Sequence, residues 1–114
     1  MARYAAELKE PDEIALWEKI LEREGETFVT SGRGSVPGVP FTYAIPEYKM
    51  NGKTVKGAEL RISSRSKTIT RSTVMLAYRK ALEMGGIVKG PKSLGNIYRA
   101  SYVFAILKEL GEIN

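Results

Sequence analysis

The sequence predicts an α+β domain: an N-terminal helix, a small antiparallel sheet centred on a hairpin at about 41–63, and two C-terminal helices. Three observations carry this expectation. An Asn51-Gly52 pair, the preferred two-residue hairpin turn, sits between two stretches that alternate apolar and polar residues. Apolar residues recur at helical spacing on both sides of that block. Glycines stand where those helical stretches stop, at Gly25, Gly85-Gly86 and Gly111. A chain of 114 residues is the usual size of one domain, so residues 1–114 are read as a single unit.

The first helix opens at Glu10-Pro11, because proline at the first helical position loses no hydrogen bond. Ile14, Trp17 and Leu21, flanked by Leu16 and Ile20, supply its apolar side, with Trp17 as a core anchor. Asp12 and Glu13 complement the dipole at its start, and Glu18, Glu22 and Glu24 make the outward face acidic. Residues 27–31 form a short β-type segment. Three glycines and two prolines make 32–40 a loop. That loop begins a G-x-G-x-x-G pattern at Gly32 and Gly34 but has Pro37 where the last glycine belongs, so the dinucleotide fingerprint fails.

If Asn51-Gly52 closes the hairpin, Phe41 opposes Ile62, Tyr43 opposes Leu60 and Ile45 opposes Ala58, all on one apolar face. Thr42 then meets Arg61, Ala44 meets Glu59, and Glu47 meets Lys56 with opposite charge. Pro46 opposite Gly57 predicts a bulge or edge kink. The tip carries Lys49, Lys53 and Lys56. The strand is expected to end near Ser63 and the second helix to start around Thr68 or Thr70, both good caps. Val74, Ala77, Tyr78, Ala81 and Leu82 line its buried side. After a connector over 87–95, the third helix is read from about Asn96 to Leu110. It is apolar nearly all round, which places it in the core with some homodimer contact.

Cysteine and histidine are absent, which removes disulfides, thiolate chemistry, imidazole catalysis and the usual zinc ligands. No cofactor and no metal site is expected. Ser64-Arg65-Ser66-Lys67 matches the S-x-x-K pattern, but the companion motifs are missing. Gly52-Lys53-Thr54 ends like a phosphate loop, yet the required earlier glycine is Glu47. The chain is therefore read as non-enzymatic. It has no apolar run long enough for a membrane span, and Met1 to Glu10 lacks the apolar stretch of a signal peptide, so a cytoplasmic address is expected.

The net charge of +5 is unevenly placed. Residues 49–99 hold twelve Lys/Arg against Glu59 and Glu83, whereas residues 1–48 hold five against nine acids. Such asymmetry points to a basic face and a polyanionic partner, above all DNA or RNA. Arg61, Arg65, Lys67 and Arg71 bracket a strand-to-helix junction, where Thr70, Ser72 and the free N–H groups of a helix start would help clamp phosphate. Arg79 and Lys80 extend that surface along the second helix, and Lys89 and Lys92 join it from the next loop.

Residues 66–74 (Ser-Lys-Thr-Ile-Thr-Arg-Ser-Thr-Val), with Ala77, Gly90-Pro91-Lys92, Leu94-Gly95 and Ala100-Ser101-Tyr102, resemble a pattern in short bacterial proteins of the mobile-element sort. The resemblance covers about the C-terminal half. It implies a phage or plasmid accessory protein and brings no catalytic residue with it. The leading expectation is a small DNA- or RNA-binding regulator. The alternative is a protein-binding inhibitor or adaptor, for instance one that blocks a nucleic-acid enzyme such as a CRISPR effector, with the acidic first helix or the apolar third helix as interface.

Overall fold

The computed structural model describes residues 8–30, 35, 37–63, 67–95, 97 and 99–113. Helix α1 spans Pro11–Glu22 with proline at its start and acidic residues in its first turn. Its buried stripe is Glu13, Leu16, Trp17 and Ile20, while Ile14 is 38% exposed. The expected apolar side is thus rotated: Ile14 turns outward, and a carboxylate takes the inward place. Glu13 tolerates this because Arg79, sixty-six residues away, reaches it with two hydrogen bonds.

Strands β1 (Phe28–Val29) and β2 (Pro40–Phe41) pair antiparallel, Phe28 opposite Phe41. Gly38 is required there, since a Cβ would stand 1.8 Å from the Thr30 carbonyl oxygen. The expected segment at 27–31 is therefore a strand at its first half, and residues 31–34 and 36 of the glycine-rich loop lie outside the described residues. The rings of Phe28 and Phe41 stack at 5.8 Å, and Tyr102 meets Phe41 edge-on at 4.9 Å.

The hairpin forms, with a corrected register. Strands β4 (Glu47–Met50) and β5 (Lys53–Lys56) pair as expected around Asn51-Gly52, both of which take positive φ. Beyond Pro46, β3 (Tyr43–Ala44) pairs β6 (Glu59–Ile62) with Tyr43 opposite Ile62 and Ala44 opposite Arg61, two residues off the expected partners. Phe41 accordingly opposes Phe28 instead of Ile62. The shift arises where expected, at Pro46 and Gly57, whose N–H bonds the Pro46 carbonyl at 2.7 Å. A shift of two preserves side-chain parity, so Phe41, Tyr43, Ile45, Leu60 and Ile62 are buried as read.

Strand β7 (Lys67–Thr70) was not expected; it completes a three-stranded sheet in the order β3–β6–β7. Helix α2 (Arg71–Glu83) follows directly, and Thr70 caps it by accepting from the Thr73 N–H. Val74, Met75, Ala77, Tyr78 and Ala81 are buried, but Leu82 is 52% exposed. Gly85 and Gly86 close α2 with paired bonds to the Leu82 and Ala81 carbonyls. A 3₁₀ turn at Pro91–Leu94 interrupts the connector and buries Leu94.

Helix α3 spans Ala100–Glu109, four residues later than expected, because Gly95 and Arg99 take left-handed φ of +84° and +56°. All residues from Tyr102 to Leu107 are buried, so α3 is the centre of the core. Among its described residues the exposed ones are Ser101, Lys108 and Glu109, which leaves no apolar face for the homodimer contact expected there. No helix among the described residues is long and apolar enough to cross a membrane.

Candidate nucleic-acid interface

Among the described residues, the basic positions singled out from sequence are spread over the sheet, α2 and the connector. Strand β7 separates Lys67 from Arg71, and four extended residues place them about 13 Å apart at opposite ends of the sheet. Arg65 and the Lys67 side chain lie outside what is described. The start of α2 is also occupied: the Arg71 N–H bonds the Ala58 carbonyl and Thr70 takes the Thr73 N–H. Two of the N–H groups expected to clamp phosphate, those of Arg71 and Thr73, are thus spent on the fold.

Two of the arginines serve packing. Arg71 places its guanidinium 5.8 Å from the centre of the Trp17 ring. Arg79 grips Glu13 with Nε at 2.7 Å and Nη2 at 2.9 Å, while the Glu13 side chain is only 7% exposed. The Arg79 hydrogen bond holds the Glu13 carboxyl below the usual carboxylate range, against the opposing pull of burial. Lys80 is half-buried, and its side chain runs past Gly95. Lys89 and Lys92 are exposed on the connector. Arg61 is exposed on the outer face of the sheet, beside Ala44 and Thr68, with Glu59 at 3.7 Å.

A different basic element stands free. The β4–β5 ribbon is exposed along nearly its whole length, and only Tyr48 in it is half-buried. Lys49 lies on one face with Glu47, Thr54 and Lys56, and Lys53 lies on the other with Tyr48, Met50 and Val55. Among the described residues neither Lys49 nor Lys53 takes a carboxylate partner. Sequence reading placed these lysines on a hairpin tip but favoured the junction. The signal for the ribbon was there: from 47 to 56 the inward positions hold Glu47, Lys49, Thr54 and Lys56 instead of apolar residues.

The ribbon is anchored at its base from both sides. Glu24, just past α1, accepts the Ile45 N–H at 2.7 Å and the Lys56 ammonium at 2.8 Å. Those bonds lower the Glu24 carboxyl, the Ile45 N–H most of all, and Glu24 in turn raises Lys56. On the opposite face the Tyr48 hydroxyl meets Glu59 at 3.2 Å. The Tyr48 ring lies so close over Gly57 that a Cβ there would stand 2.5 Å from it.

Among the described residues no group of three or more acidic side chains is placed to hold a metal ion. No protein family matches the chain, and neither a curated protein nor a solved structure is significantly similar to it, so its C-terminal resemblance to mobile-element proteins stays an expectation.

Proposed function

We propose that the protein is a non-enzymatic nucleic-acid-binding accessory or regulatory protein, with DNA as the preferred partner and the β4–β5 ribbon as the contacting element. The observation that carries this reading is a ribbon exposed on both faces that bears Lys49 and Lys53 without carboxylate partners. A two-stranded hairpin alone is marginal in water. Here Glu24 and Glu59 tether one that adds almost nothing to the core, which is the economy of a contact element. The basic stretch over 49–99 supplies the longer-range attraction to phosphate. Fluorescence anisotropy with short duplexes at low salt tests it. Wild-type protein binds, and the Lys49→Gln, Lys53→Gln double variant binds at least tenfold more weakly; absence of any binding to duplex or single strands rejects the reading.

A protein-binding inhibitor or adaptor is the second reading, favoured by exposed apolar side chains elsewhere on the molecule. Leu76, Leu82 and Ile87, on and just after α2, are 45%, 52% and 64% exposed, and Glu18 and Glu22 of α1 are exposed as well. Recovery of one specific protein on immobilised wild-type chain, lost on Leu82→Ser with Ile87→Ser and kept on the ribbon variant, would select it.

A further inference from the structure

We infer that the ribbon reads B-form DNA by entering the major groove with its outer face toward the bases, presenting Asn51 and Lys53 to base edges. This rests on the nucleic-acid reading above and goes further by naming the form of nucleic acid and the groove. Three features of the ribbon carry it.

The first is size. Two paired strands lie about 4.8 Å apart, and a two-stranded ribbon fits the roughly 12 Å major groove of B-DNA but not its roughly 6 Å minor groove. A-form RNA has a deep, narrow major groove that side chains cannot read. The second is the tip. Asn51 stands at the apex with φ +53°, followed by Gly52 at +78°, so the side-chain amide is carried at the leading end of the element. An asparagine amide pairs both major-groove groups of adenine, and a lysine ammonium bonds the guanine acceptors. Met50 and Val55, 38% and 37% exposed on the same face as Lys53, are suited to thymine methyl groups. The third is what the ribbon lacks. Binding of single strands relies on aromatic platforms, and the one ring here, Tyr48, is held over Gly57 and bonded to Glu59.

The placement of charge fits this docking. The Tyr48–Glu59 bond joins the ribbon's outer face to the outer face of the β3–β6–β7 sheet, where Arg61 is exposed. A ribbon seated by that face brings Arg61 toward the flanking backbone. Lys49, on the opposite face, reaches the phosphates of the groove wall.

The test starts from duplexes selected by wild-type protein out of a randomised library. The preferred duplex is then remade with 7-deazapurines, which replace the N7 acceptor of the major groove with C–H and leave the protein untouched. The expected result is a purine-containing motif and an affinity lowered roughly 5- to 150-fold on the deaza duplex, the range of one bidentate base contact. Asn51→Gly keeps a glycine-rich turn of the same type. It is expected to lose a similar factor on the selected duplex and so to discriminate less between that duplex and a scrambled one. Equal affinity for natural and deaza duplexes, the absence of any motif, or equal binding of RNA duplex overturns the groove assignment and leaves nucleic-acid binding standing. Failure to bind any nucleic acid at low salt removes both.

Discussion

Single residues decide how the two halves of this fold are joined. Glu13 and Arg79 couple α1 to α2, and Glu24 couples the end of α1 to the base of the ribbon. Both carboxyls are held below their ordinary value in the folded state. Their contribution is therefore complete above the usual glutamate range and is lost as pH falls through the lowered folded values. Arg79→Met is expected to lower stability at pH 7 more than in acid below the lowered folded value of Glu13, where the carboxyl is protonated in both proteins; denaturant unfolding followed down through the acid range checks this. The Glu13→Leu, Arg79→Met double variant should recover stability, because an apolar pair needs no desolvated charge. Glu24→Ala should leave the core intact but speed amide exchange at Ile45 and along the ribbon. Gly38→Ala should cost about 3 kcal/mol, the upper end for overpacking, since the clashing Thr30 oxygen is backbone and cannot move aside. None of these pairings was legible in the sequence, because each partner lies far along the chain. Glu13 looked like a dipole-complementing surface residue until Arg79 was found beside it.

At the scale of elements, local chemistry was read well and long-range pairing was not. Proline at the start of α1, the Asn51-Gly52 turn, the Thr70 cap and the terminal glycines act within a few residues, and all were legible. Strand β7 was missed because Lys-Thr-Ile-Thr offers one apolar residue, and its strand character comes from pairing with β6. The start of α3 was set too early because left-handed backbone at Arg99 leaves no compositional mark. The candidate site was affected likewise: β7 holds the backbone of Lys67 a strand's length from Arg71, which adjacency in sequence did not show. Thr70→Ala should cost about 1 kcal/mol by loss of the cap, read in chemical denaturation. Replacing residues 47–56 by a two-residue turn should shift Tm by less than about 5 °C, since these residues are nearly all outside the core.

The whole molecule measures 49 × 29 × 23 Å, with one core around α3 and a charged ribbon outside it. The charge asymmetry of the sequence survives folding in an altered form. One exposed cation, Arg79, is tied to the buried Glu13 and joins two helices, while Lys49, Lys53 and Arg61 are exposed and make no such helix-to-helix pair. Lys49→Gln and Arg61→Gln are each expected to make the dependence of log affinity on log salt shallower by about 0.9, as each removes one phosphate contact. The central claim is that the ribbon is the part of this protein that binds nucleic acid. It is tested most directly by one salt titration of duplex DNA with the intact chain and with the chain lacking residues 47–56. The account predicts steep, salt-sensitive binding by the intact protein and its loss in the truncated one, with both equally folded by circular dichroism. Binding by the truncated protein that matches the intact one would contradict it.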